Sequence, residues 1–386
     1  MLKNFQVSER VFICVFFMGM SLSKTLHALY FDSVGRLSYF SLSYAVMALS
    51  GALSFFYAPF FHRFSFKLRV NLSLGLYSLA LLLRCFPHSL VAAILSALLG
   101  GIGAVMVLMS LHEIILSRKN QIEDGVAAKN FLASLAFAGG ALLAGPLAEY
   151  VFSQRGVLFI AALFMLICVL VNSFFMEPIA ETKKELQREK NSFFNVFKKN
   201  KKLLTALSCC AILCGFYTGL STPYLALYLQ EESFSLTQIS VALFLASLFA
   251  GLLQPFYKFV FKFKKISSRF LFCELILALT TLFFVQVESR FFIVFYLVLR
   301  GLFLGASRLY QESINLSFVG ENKALLLGLL TSSFLSGDIL GAASVAFFRN
   351  HFSCAQIIGA SSVLVLLNAL VFYSFSNKYR GVNLQT

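Results

Sequence analysis

The chain has 386 residues, of which 59 % are hydrophobic and only 13 % charged. Soluble domains carry about 25 % charge, and a mean hydropathy of +0.82 leaves too little polar surface to hold a fold of this size in water. Soluble enzyme, secreted disulfide scaffold and disordered chain are excluded, and a polytopic membrane protein remains, in which a net charge of +15 reports orientation and anionic lipid headgroups rather than nucleic acid.

Twelve apolar segments follow one another, at about 11–31, 39–60, 68–86, 90–116, 127–150, 156–176, 203–229, 238–260, 270–287, 291–314, 324–348 and 354–375. Each is long enough to cross ~30 Å of hydrocarbon. Each is expected to be a helix, because an open strand would leave backbone groups unpaired in lipid. The first segment lacks the short apolar core and small-residue cleavage site of a signal peptide, so it is expected to stay in the protein. Residues 177–202 are strongly charged and contain no span, and Glu181–Lys190 alternates acid and base at helical spacing. This linker divides the chain into an N-terminal bundle, 1–176, and a C-terminal bundle, 203–386. Eight cysteines lie in or beside apolar stretches without metal-ligand spacing to histidine, so no disulfide, metal or cofactor is expected.

Basic residues set the orientation. With both termini on one side, that side carries 24 Lys and Arg, eight of them in the linker. The opposite side carries five: Arg36, Arg84, Arg155, Arg290 and Arg349. Lys24, Arg300 and Arg308 fall inside spans. Both termini and the linker are therefore expected to be cytoplasmic, in the inner (plasma) membrane.

The two halves are related. At a shift of 200 residues Gly51 matches Gly251, Phe56 matches Phe256, Tyr57 matches Tyr257 and Arg69 matches Arg269. The same register, ungapped, pairs Gly101 with Gly301, Ile114 with Ile314 and Ser117 with Ser317. Matched glycines and basic loop positions carry more weight here than matched leucines. Six spans return the chain to its starting side, so the halves form a parallel repeat.

With this organisation the sequence resembles the major facilitator superfamily over nearly its whole length. The loop between the second and third segments is a degenerate form of that family's G-x-L-A-D-R-x-G-R-R pattern. Arg63, Lys67 and Arg69 are kept, His62 replaces the aspartate, and Ala58 and Ser65 replace glycines. The fifth segment contains Gly139, Gly140, Gly145 and Pro146 and is similar to the glycine-proline motif of family exporters, although Glu149 and Tyr150 stand where a glycine pair would follow. Small residues let helices approach and proline bends a span. The fold implied is all-α, twelve transmembrane helices in two six-helix bundles related by a pseudo-two-fold axis.

Ionisable residues inside a span are costly and mark functional sites. At ~1.5 Å per residue, Lys24, Arg300 and Asp338 sit in the middle third of their spans. Glu113, Glu274, Arg308 and Glu312 are placed nearer the cytoplasmic ends. The resemblance implies that the first, fourth, seventh and tenth spans line a cavity. On these, Lys24 and Ser21, Tyr217 and Tyr224, and Arg300 and Ser307 are the candidate substrate-binding residues. Asp338 is the candidate proton-coupling group, and Arg63, Lys67 and Arg69 form the candidate gating loop.

The expectation is a secondary transporter of a small organic solute, working by alternating access as a monomer and driven by protons. No Walker sequence is present for direct use of ATP. Two basic groups against one carboxylate favour an organic anion or amphoteric metabolite. A drug-like efflux antiporter is one alternative. A membrane-embedded enzyme is another, but only His112 with Glu113, and His27 with Asp32, approach a cluster, and no catalytic residue is assigned.

Overall fold

A computed structural model describes residues 5–61, 63–116, 122–175, 201–256, 266–318, 323–349 and 351–378. Among them all regular structure is helical: α1 (Val7–Ser33), α2 (Leu37–Ala52), α3 (Ser54–Phe61), α4 (Phe66–Leu83), α5 (Leu90–Leu116), α6 (Ile122–Pro146), α7 (Gln154–Phe175), α8 (Lys201–Ser221), α9 (Leu225–Glu231), α10 (Leu236–Leu252), α11 (Ile266–Phe284), α12 (Arg290–Phe318), α13 (Lys323–Phe348) and α14 (Cys354–Lys378). Ten helical stretches among the described residues are long and apolar enough to cross a membrane, and α2 is apolar but shorter. Large apolar side chains such as Phe56, Phe174 and Phe291 are more than 70 % exposed on the periphery, as lipid-facing residues are. Residues 177–200 of the linker, His62 and the basic stretch 257–265 lie outside the described residues.

Every expected segment falls on a helix, with local differences. The second is broken at Leu53 into α2 and α3. The seventh is broken by a 3-10 turn, Thr222–Tyr224, into α8 and α9, because Pro223 cannot donate the hydrogen bond that would continue the helix. The ninth starts at Ile266, earlier than the apolar run suggested, since Ser267, Ser268 and Arg269 join the helix. Glu274 therefore lies at the middle of α11 rather than near its cytoplasmic end.

Serine caps fall at repeat-related places. Ser153 accepts from Gly156 N before α7, and Ser353 accepts from Gln356 N before α14, both at 3.3 Å. At the turn between α1 and α2 the chain reverses through Gly35 at φ +68°, a left-handed conformation that costs glycine little. These reversals put the starts of α1, α4, α6, α8, α11 and α13 on one face, the terminal face. The starts of α2, α5, α7, α10, α12 and α14 lie on the opposite, distal face.

Helix packing has the symmetry of the repeat. In the first half α1 packs on α6 and α7, α5 on α2 and α4, and α4 on α7. In the second half α8 packs on α13 and α14, α12 on α10 and α11, and α11 on α14. Shifting each N-terminal pair by one repeat gives the C-terminal pair. The halves meet through α2 on α13 and α6 on α10, two contacts that the same operation exchanges. The matched glycines explain the register. Gly101 lies against Ser50 and Gly51 of α2, and Gly301 against Ala246 of α10. Gly51 faces Leu335 of α13, and Gly251 faces Ser134 of α6. Each pair occupies equivalent places, where a side chain would separate the helices.

Candidate functional site

The last turn of α8, just before the Pro223 break, gathers three ionisable groups of the C-terminal half. Arg300 of α12 donates from Nη2 to Ser221 Oγ at 2.6 Å and is 3 % exposed. Arg308 of α12 reaches Thr218 Oγ1 at 3.5 Å. Asp338 of α13 lies over Gly219, where a Cβ would fall 2.8 Å from Oδ1. The helices come this close because α8 carries Gly215 and Gly219, and α13 carries Gly337 and Gly341. Both pairs have G-x-x-x-G spacing, and each meets the other helix's backbone.

Asp338 stands at the boundary between halves. Tyr44 OH of α2 donates to its two oxygens, at 3.2 and 3.1 Å. The charges that act on Lys24 of α1 are Arg308 and Asp338, both from the other half. Lys24 is exposed and its ammonium sits 5.7 Å from the Phe137 ring centroid. It therefore faces the space between the halves. Lys24, Arg300 and Asp338 lie nine, ten and ten residues from the distal ends of their helices, at one level.

The other substrate-site candidates have structural partners. Ser21 donates to Phe137 O at 2.6 Å in the α1–α6 contact. Tyr224 donates to Ser41 Oγ at 3.4 Å, with its ring edge-on to Phe40. Tyr217 and Ser307 both donate to Glu274, which Asn368 of α14 also serves at 2.9 Å. Cys214 donates to Tyr217 OH at 3.1 Å. A carboxylate with no exposed surface is thus held at mid-span by three neutral donors from α8, α12 and α14. Sequence reasoning missed this site because the true start of α11 was hidden. Tyr44 was missed because a lone tyrosine in an apolar helix carries no signal of its partner.

The two ends of the interface close differently. At the distal face α1 packs directly on α9 and on the 222–224 turn. Glu149, just beyond Pro146, accepts from Thr237 N at 3.1 Å and from its Oγ1 at 2.8 Å. At the terminal face long side chains bridge the halves. Glu312 of α12 takes His112 Nε2 of α5 at 2.7 Å, Lys129 of α6 as an ion pair, and Asn130 Nδ2 at 3.3 Å. His112 and Glu312 are 200 residues apart, so repeat-equivalent positions face each other and mark the pseudo-two-fold axis.

His112 and Glu113 consequently serve different partners, for Glu113 pairs with buried Arg69 of α4 at 2.5 Å. Among the remaining gating-loop residues, Lys67 donates to Ser173 O at 3.3 Å, while Arg63 is exposed above Phe60, 5.9 Å from its ring centroid. In the fifth-segment motif a Cβ on Gly139 would meet no atom of the described residues within 4 Å. Gly140 packs on Met18 and Ser21, Gly145 packs on Leu236 and Ser240 of the other half, and Pro146 ends α6 before a π-turn at Leu147–Val151.

Two related sets of helices around a charged interior, with ten described stretches long and apolar enough to cross a membrane, define a polytopic membrane protein. The chain belongs to the major facilitator superfamily, whose family model matches residues 11–306. The fold is similar to the crystal structure of the human organic anion transporter MFSD10 (TETRAN), with a TM-score of 0.71 and 16 % identity over 96 % of this chain and 99 % of that chain. No curated protein matches the sequence.

Proposed function

We propose that this protein is a proton-driven secondary transporter of a small organic anion or amphoteric metabolite, working by alternating access. One observation carries the reading. Lys24 and Arg300 share the level of Asp338, Arg308 lies two turns nearer the terminal face on the helix of Arg300, and none of the three cations belongs to an ion pair among the described residues. Arg300 is buried without a counter-charge, which is costly in a low-dielectric interior, and an anionic solute held between it and Lys24 offsets that cost. Arginine suits the role because its planar fork holds a carboxylate or phosphate through two bonds. Asp338, hydrogen-bonded to one half and carried by the other, is placed to couple its protonation to their movement. The linker and both termini are assigned to the cytoplasm of an inner-membrane protein that acts as a monomer.

The test is uptake of radiolabelled organic anions, zwitterions and cations into proteoliposomes, with and without an imposed pH gradient. Anion or zwitterion uptake that the gradient drives uphill is expected. Transport of simple cations alone, or full substrate affinity in both Lys24→Ala and Arg300→Ala, overturns the reading.

A further inference from the structure

The N-terminal half encloses positive charge that the central site does not use. Arg84 follows α4 at the distal face, yet its side chain turns inward and is 4 % exposed. Nη1 donates to Ser23 Oγ of α1 at 2.7 Å, Nη2 lies 3.3 Å from Met47 Sδ of α2 and against Gly100 of α5, and Tyr77 of α4 also approaches the guanidinium. All these partners are neutral, and no ion pair among the described residues includes Arg84.

Three buried polar atoms in this part of the half have no hydrogen-bond partner among the described residues: Arg84 Nε, His27 Nε2 and Ser96 Oγ. His27 is one turn beyond Ser23 on α1, and Arg84 is the charge that acts on it. Its ring stands edge-on to Phe31 and Phe40, with centroids 5.1 and 5.0 Å away. Ser96 is one turn before Gly100 on α5, on the same face. The levels agree. Ser23, Met47 and Gly100 each lie ten residues from the distal end of their helix, and His27 and Ser96 each lie six.

A guanidinium keeps its charge when buried, and neutral partners do not offset its desolvation. Each of the three unpartnered atoms can donate a hydrogen bond, His27 as its Nε2–H tautomer. Donors grouped about a cation whose acceptors are all neutral make the shell of an anion. His27, Ser96 and Arg84 are all nearly inaccessible, and the rings of Phe31 and Phe40 close one side, which suits a single-atom ion rather than an organic acid. We propose that Arg84, His27 and Ser96 bind chloride inside the N-terminal half. The ion offsets the charge of Arg84 and joins α1 to α4 and α5. This site stands independently of the transported solute.

The full-length protein in detergent tests it, in sodium chloride against sodium gluconate at equal ionic strength. A melting temperature that rises saturably with chloride is expected, as for any ligand that binds only the folded state. The 35Cl resonance should broaden, and bromide should narrow it again. Arg84→Met should fold, because apolar replacement of a buried charge is often tolerated, and should lose both effects. Lys24→Met, in the central site, should keep them. His27→Gln should weaken chloride binding, and it provides the comparison if Arg84→Met does not fold. Equal melting temperatures and linewidths in the two salts overturn the proposal, as does chloride dependence that persists in Arg84→Met or is unweakened in His27→Gln.

Discussion

At the scale of single residues, the membrane interior makes the identity of a charge's partner matter more than its position. Arg69 is fully buried against Glu113, while Arg63, six residues earlier in the same loop, is exposed above a phenylalanine ring. Removing one partner of a buried pair leaves the other charge uncompensated, at a cost of about 3 kcal/mol. Arg69→Ala is therefore expected to lower unfolding stability in detergent by about that amount, and Arg63→Ala to change it by less than ~0.5 kcal/mol. Equal effects would contradict the division of labour within the loop. Asp338 is the corresponding test of function. Asp338→Asn keeps the acceptor for Tyr44 but cannot exchange a proton, so uphill accumulation under a pH gradient should vanish while solute exchange at equal pH persists. Retained gradient-driven accumulation would remove Asp338 from the coupling role.

Among the elements, close helix approach rests on a few glycines, and the fifth-segment motif separates cleanly into parts. A methyl group on Gly140 would lie 2.5 Å from Met18 O and 2.7 Å from Ser21 Cβ, whereas one on Gly139 would touch no atom of the described residues. Gly139→Ala is expected to be neutral or to stabilise by about 0.5 kcal/mol, since alanine narrows the unfolded ensemble. Gly140→Ala must push α1 from α6 and should lower the melting temperature. The same reasoning applies to Gly219, where a methyl group displaces the Asp338 carboxylate. Gly219→Ala should reduce transport by about tenfold, equivalent to 1.4 kcal/mol. A fully active Gly219→Ala protein would show that the carboxylate's position is not critical.

For the whole molecule, alternating access requires the halves to part at one face while they touch at the other. The terminal face is held by Glu312 with its three partners and by Ser54 Oγ of α3 lying 3.3 Å from Ser332 Oγ of α13. In a protein freed of its eight native cysteines, Ser54→Cys with Ser332→Cys should form a disulfide that arrests transport until it is reduced. Full transport by the oxidised protein would mean that this face does not open. Orientation is tested separately, since Lys190→Cys in the linker should resist an impermeant thiol reagent in intact cells. Labelling from outside would reverse the assignment.

Composition, the apolar segments and the shift of 200 residues pointed to an all-α membrane protein of two related halves, and the family resemblance they support implied the rest of the fold without coordinates. Lipid admits few backbone solutions, and a duplicated glycine register specifies which helices may approach. The common level of Lys24, Arg300 and Asp338 along their helices was legible for the same reason, because position follows from counting residues along a helix. What the tertiary structure decided was partnership. Nothing local in the chain says that Tyr44 meets Asp338 or that His112 meets Glu312, since each pair is brought together only when two halves far apart in sequence fold against one another. Nor could the apolar run show that α11 begins at Ile266, because Ser267, Ser268 and Arg269, which join the helix, lie outside the hydrophobic pattern. That difference moved Glu274 to mid-span, where its three hydrogen-bond donors come from three other helices.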